Sequence, residues 1–224
     1  MDPLNIMKIS AQRLLIFAVS FVIAGCTTVD LARDRSSLEI AKSCCASTLD
    51  LPRPMPVASE YDIQFGSATP HFDFGEGVVP FARITIDPSK VKLVALLSLP
   101  PSAGIAIGGG GTTHYVGAGI EFFSSEGKSL GVTSLSPPVM KTYGFSGWYT
   151  YLRYAAVPPG AASATIFASR SDIGKTGSIQ GHVSGGGFMV GSVFVPMPGG
   201  TQTKLYTLVP YGRIVVIPLE SPLR

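Results

Sequence analysis

Charge is scarce in this chain. Asp, Glu, Lys and Arg make up 14% of its 224 residues and leave a net charge of +3 at pH 7. That is too little for a nucleic-acid partner, which demands a concentrated basic face. Histidine is limited to His71, His114 and His182, and cysteine to Cys26, Cys44 and Cys45. No H-x-x-H or H-E-x-x-H pattern occurs, so a metal site would need ligands converging from distant strands, and no metal or other cofactor is expected. The Ala, Glu, Lys, Leu and Arg excess of long helical bundles is missing. With 46% of residues hydrophobic, the composition also excludes a disordered chain. What the chain does hold is 26 glycines and 18 prolines, a turn-rich makeup with length for one ordinary domain and a tail.

The N-terminus carries the strongest signal. Lys8 and Arg13 form a short positive region, followed by the uncharged run Leu14–Ala24. That run falls short of the about 20 residues a membrane-spanning helix needs, and matches the apolar core of a secretory signal. It ends Ile23-Ala24-Gly25-Cys26, a bacterial lipobox: a branched apolar residue, two small residues, then the cysteine whose thiol takes diacylglycerol. Residues 1–25 are thus expected to be a lipoprotein signal peptide, with Met7 offering a second start. A lipidated Cys26 carrying more than one acyl chain holds stably to a membrane. Thr27 follows it, not the Asp that retains lipoproteins in the inner membrane. The expected place is the periplasmic face of the outer membrane, lipid-anchored.

Lipidation leaves only the adjacent pair Cys44-Cys45 in an oxidising compartment. Adjacent cysteines close only a strained ring, because ordinary disulfides set Cα atoms about 5.5–6 Å apart. A buried thiol pair on a helix, a vicinal disulfide and bridges to another chain all stay open, while a Cys-only metal site lacks further ligands nearby.

Along residues 26–56, Thr27–Ser36 reads as a polar tether. Ser36 or Ser37 can cap a helix starting near Leu38, whose face would carry Leu38, Ala41, Cys45 and Leu49. The series Pro52-Pro54-Pro56 then runs extended. From residue 57 to 224 the chain reads as strands. Tyr61, Ile63 and Phe65 alternate with polar residues, as do Phe72 and Phe74 before the turn Gly75-Glu76-Gly77. Phe81–Ile86 is another strand. Val91–Leu99 is a continuous apolar run of the kind buried on both faces. Val116–Phe123 and Lys128–Leu135 make a hairpin around Ser124–Gly127. Trp148–Val157 and Ala164–Ala168 follow, and Lys204–Val209 is expected to pair with Arg213–Leu219 across Pro210-Tyr211-Gly212. The glycine-rich stretch 177–200 is either a pair of edge strands or a mobile apolar loop. The fold class is mostly β: an antiparallel β-sandwich or open barrel with one short N-terminal helix.

No catalytic residues stand out. Gly108–Gly111 lacks the lysine and following helix of a phosphate cradle. Gly144-Phe145-Ser146-Gly147 misses the spacing of a nucleophile elbow. The near carboxylate pairs, Asp73 with Glu76 and Glu121 with Glu126, sit beside turns and read as solvated. The aromatic cluster around the sole tryptophan is more specific. On a strand, Trp148, Leu152 and Tyr154 face one way, as core, and Tyr149, Tyr151 and Arg153 the other. Trp148, Tyr149, Tyr151 and Arg153 are therefore the candidate ligand or partner contacts, an aromatic row with a cation suited to sugar rings or another protein, with plain strand packing as the alternative.

The segment Ala41-Lys42-Ser43-Cys44-Cys45-Ala46-Ser47 after a lipobox resembles the maltose-operon periplasmic protein family. So do Phe72-Asp73-Phe74-Gly75-Glu76-Gly77, the strand Val91–Leu99 ending at Pro100, the hairpin Gly119–Val132, the stretch Thr165–Thr176 and the closing Tyr211-Gly212-Arg213-Ile214. The resemblance covers most of residues 38–219 and departs at 177–200. It implies a periplasmic or outer-membrane place and an association with maltodextrin uptake, with no catalytic residues to carry over. The expectation is a non-enzymatic accessory or interaction protein in carbohydrate uptake, with an oligosaccharide or envelope protein as partner. The alternative is a structural subunit of a larger envelope or secretion assembly, docking through 177–200.

Overall fold

A computed structural model describes residues 30–56, 59–100, 112–143, 148–183, 186–190, 193–197 and 200–221. The signal segment, the lipobox with Cys26, Gly108–Gly111 and Gly144-Phe145-Ser146-Gly147 lie outside these residues. Among the described residues no helix is long and apolar enough to cross a membrane.

The described residues fold as an antiparallel β-sandwich with one α-helix. Strands are numbered along the chain. The first sheet has the order β1 (Tyr61–Phe65), β15 (Gly212–Leu219), β4 (Leu93–Leu99), β9 (Trp148–Ala156), β8 (Val139–Tyr143). The second has β2 (His71–Asp73), β3 (Val78–Thr85), β10 (Ser163–Ala168), β6 (Ala118–Phe123), β7 (Ser129–Val132). Ile63, Phe65, Leu96 and Ile214 of the first sheet and Ile84, Ile120, Phe122 and Ile166 of the second belong to one core cluster. Ala95, Leu97, Leu152 and Val215, on the other face of the first sheet, form a second one. β4 is therefore buried on both faces, as its unbroken apolar run requires. The β6–β7 hairpin closes over Ser124–Gly127, with Glu121 opposite Val132.

A third sheet has the order β11 (Thr176–Val183), β14 (Gly200–Val209), β5 (Thr113–Val116), in which β14 and β5 run parallel. Between β11 and β14 the chain forms the hairpin of β12 (Gly186–Val190) and β13 (Val193–Met197). The described residues of the stretch 177–200 thus all lie in strands. The expected pairing of β14 with β15 does not form. β15 lies instead between β1 and β4, where Ile214, Val215 and Val216 are all buried. Three consecutive apolar residues cover both faces of a strand, which favours an interior position over the edge of a hairpin.

Helix α1 spans Leu31–Ile40, earlier than the sequence pattern implied. Most of the supposed tether is helical, and Cys44-Cys45 lies beyond the helix. Leu38 is buried, and the Ala41 N–H donates to the Leu38 carbonyl at 3.3 Å in the last turn. The Cys44 N–H then donates to the His71 carbonyl at 2.8 Å, an extended contact that a continuing helix would forbid. Cys44 and Cys45 are joined as a vicinal disulfide. The following proline-interrupted segment packs along β3. The Met55 N–H donates to the Arg83 carbonyl at 3.0 Å, and the Thr85 N–H to the Met55 carbonyl at 2.8 Å. The Arg83 guanidinium reaches the carbonyls of Leu51 at 3.3 Å and Pro52 at 3.0 Å. The compact unit starts at Leu31, so helix and proline segment belong to the body of the sandwich.

Candidate functional site

A cleft of about 200 Å³ opens where the β6 and β10 ends of the second sheet approach Arg153 of β9. Its apolar lining includes Phe74 and Phe167, stacked with centroids 4.5 Å apart and planes at 14°. Phe167 stands across from Gly119 in the β10–β6 register. A Cβ on Gly119 would lie 2.5 Å from Phe167 Cε2, so the bare glycine is what lets the ring lie flat over the neighbouring strand.

The rim is charged. Asp73 Oδ1 accepts the N–H groups of Gly75 at 2.8 Å and Gly77 at 2.9 Å, which fixes the turn after β2. Glu76 Oε2 accepts the Ser171 N–H at 3.1 Å, tying that turn to the 3-10 turn Arg170–Asp172. Arg170 donates to the Val78 carbonyl at 3.3 Å. Arg153 Nε donates to the Ser136 carbonyl at 2.9 Å, and its Nη1 lies 4.0 Å from Asp172 Oδ2. Lys175 Nζ meets Asp172 Oδ1 at 2.8 Å, a hydrogen bond that raises the lysine pKa. The rim thus alternates guanidinium and carboxylate groups whose positions are set by backbone contacts. Such groups can orient a polar ligand laid against the aromatic floor.

Behind Arg153 lies a tyrosine cluster. Tyr115 and Tyr151 stack at 5.6 Å, and Tyr206 meets Tyr151 edge-on at 5.2 Å. Burial is the main cause that pushes both Tyr115 and Tyr151 to about 12, so both keep their protons at neutral pH. Beside them a narrow cavity of about 10 Å³ adds no ligand space.

These positions correct the expected aromatic row. The side chains of Trp148 and Tyr149 lie outside the described residues. Of the two described candidates, Tyr151 is 5% exposed and Arg153 lines the cleft. From Thr150 to Ala155 the alternation holds, but both faces are at least half-covered, so Tyr151 and Arg153 point into the protein. Leu152, expected as core, packs in the second cluster with Tyr154 against it. The carboxylates Asp73, Glu76 and Glu121 serve as acceptors for turn and hairpin groups. His71 is buried and sets its ring edge against Tyr211 at 6.3 Å; desolvation lowers its pKa. Among the described residues no cluster of three or more His, Cys, Asp or Glu is placed to hold a metal.

Sequence reasoning missed Phe167, Arg170 and Asp172 as site residues. The signal available was positional: 72–77 and 165–176, each a strand running into a turn, supply facing parts of the cleft. No protein-family model matches the chain, and neither a curated protein nor a solved structure matches it.

Proposed function

We propose that this is an outer-membrane-anchored periplasmic lipoprotein, held by lipid on Cys26, that acts without catalysis as an accessory or interaction protein in carbohydrate uptake. The observation that carries the anchor is the sequence Leu14–Ala24 followed by Gly25-Cys26. The binding part is supported by the cleft: a stacked aromatic floor suits the C–H face of a sugar ring, and the Arg153, Arg170 and Asp172 rim suits its hydroxyls. Maltodextrin is the substrate class implied by the resemblance to maltose-operon periplasmic proteins.

Two measurements test this. Cys26→Ser should move the protein from the membrane to the soluble periplasmic fraction, and unchanged fractionation sinks the anchor. Titration of the soluble protein with maltodextrins should change the fluorescence of Trp148, the only tryptophan, and Phe74→Ala should weaken that response. A spectrum unaltered at millimolar sugar defeats the carbohydrate reading. The second reading, a subunit of an envelope assembly, draws on the β12–β13 ribbon, which is a two-stranded sheet of its own. Deleting 185–195 should then strip co-purifying partners.

A further inference from the structure

Cys44 and Cys45 form a disulfide between neighbours in the chain. A disulfide stabilises chiefly by tying together segments that would otherwise drift apart, and the gain grows with the loop it closes. This one ties residues that a peptide bond already joins, so it restrains almost nothing in the unfolded chain. A structural staple has little to do at this position, and chemistry is the role that remains.

The segment around the pair is held by groups other than sulfur. The Cys44 N–H donates to the His71 carbonyl at 2.8 Å, at β2, the outermost strand of the second sheet. The Ser43 hydroxyl donates to the Cys45 carbonyl at 2.7 Å. The Ser47 N–H and hydroxyl both donate to Asp50 Oδ2, at 3.1 and 2.8 Å. Leu49 reaches the β6–β7 turn, where a Cβ on Gly127 would lie 3.1 Å from its Cδ2. Leu51 is buried in the core, and Arg83 holds the carbonyls of Leu51 and Pro52. Residues 43–52 are thus a strap tied at β2, at β3 and at the β6–β7 turn. None of these ties passes through the S–S bond, so breaking that bond leaves the strap in place.

The two sulfurs differ in their surroundings. Lys42, Ser43 and Cys44 are exposed, whereas Cys45 is half-buried and packs against the main core cluster. Thiol–disulfide exchange depends on access to the sulfur attacked. Cys44 offers that access, and Cys45 is the sulfur that leaves. Neither cysteine lines the cleft, so exchange here and ligand binding there are separate properties.

We propose that Cys44-Cys45 is a thiol–disulfide exchange site whose partner is a dithiol of the C-x-x-C kind. The partner's first thiol, as thiolate, attacks Cys44 Sγ. The Cys44–Cys45 bond breaks, and Cys45 Sγ leaves with the bonding pair. The partner's second thiolate then attacks the partner sulfur of the mixed disulfide and releases Cys44 Sγ. The two protons lost by the partner's thiols end on Cys44 and Cys45. The chain is reduced by two electrons and the partner is oxidised to its own disulfide. A monothiol fails at the second step, because the Cys45 thiolate sits one residue from the mixed disulfide and expels the newcomer at an effective concentration that no free thiol matches. A dithiol resolves the mixed disulfide from within itself, and this competition selects its class.

The test uses the full chain with Cys26→Ser, so that the pair supplies the only cysteines. It is mixed with a reduced thioredoxin-type C-x-x-C protein or with glutathione at equal total thiol, quenched in acid, alkylated and measured by mass. The dithiol should yield at least roughly tenfold more chain with two alkylated cysteines. Equal yields, or no reduction by either, overturn the proposal. The site of attack is read in reverse with glutathione disulfide. The Cys45→Ser chain should take glutathione on Cys44 at least roughly fivefold faster than the Cys44→Ser chain takes it on Cys45, and equal rates refute the assigned order. Reduction by a phosphine should lower the urea midpoint by less than roughly 1 M, and a larger fall makes the pair a structural staple and defeats the proposal. A purified chain whose two thiols are free and resist oxidation refutes it at the outset.

Discussion

Replacing Gly119 by alanine tests how the cleft floor is built. The new Cβ would sit 2.5 Å from Phe167 Cε2 and 2.6 Å from Cζ. Ordinary carbon contacts are about 3.5–4.0 Å, so the ring must retreat by about 1 Å. Phe167 is 6% exposed and cannot swing into solvent. It can move only against Phe74, its stacking partner at 4.5 Å, which is half-buried and able to yield. Overpacking of this kind costs about 1–3 kcal/mol. The yielding partner favours the lower half of that range, and the stiffer unfolded chain returns about 0.4–1 kcal/mol. The expected net loss is about 1 kcal/mol, read as a urea midpoint lower by roughly 0.5 M at unchanged m. Phe167→Leu in the same chain should absorb most of the clash, so the double variant should be more stable than the sum of the singles predicts. A Gly119→Ala protein as stable as the parent, or strict additivity in the double variant, would show that the ring is not pinned as described. On the proposed carbohydrate reading, sugar-dependent fluorescence should weaken alongside, because the displaced ring narrows the cleft.

Three further outcomes follow from the interior. Arg83→Met removes the donors to Leu51 and Pro52 and the cation 5.3 Å above the Phe123 ring. It should cost about 2–3 kcal/mol and speed proteolysis within 44–56, and unchanged protection there would contradict the role given to Arg83. Tyr115 and Tyr151, pushed to about 12 from the usual value near 10, hold protons that the unfolded chain releases. Stability should therefore be full below about pH 10 and fall as pH rises toward 12, with late phenolate absorbance for these two groups; early titration of every tyrosine refutes their burial. His71, lowered by desolvation, binds protons less readily folded than unfolded. Stability should then fall as pH drops below about 6.5, and His71→Gln should flatten that slope in acid melts, an unaltered slope placing its origin elsewhere.

The local pattern carried much of the fold. β1, β4, β9, β10 and the β6–β7 hairpin follow from alternation, apolar runs and glycine turns, because those signals act over a few residues. Partner choice was illegible. Lys204–Val209 and Arg213–Leu219 are neighbours in sequence with a turn signal between them. Yet burial of Ile214, Val215 and Val216 sends β15 into the middle of another sheet. The start of α1 was also hidden, since Arg33–Ser37 is polar and the helix is held by contacts with Ile173 and Gly174, far along the chain. The cleft suffered the same limit. Phe74, Gly119, Arg153, Phe167 and Arg170 come from separate strands and turns, and only the pairing of β6 with β10 brings Gly119 beneath Phe167.

The place of β15 bears on how the chain can be made. β1 and β4 have no partnership with each other and meet only through a strand formed after residue 211. β5, likewise, waits for β14, some ninety positions later, to complete its parallel pair. Until translation has passed Leu219, the first sheet is two fragments with open edges, which are sticky toward other chains. Long-range closure of this kind is slow. A nascent chain therefore cannot close the first sheet until its last strand is made, whereas every strand of the second sheet is in hand by Ala168.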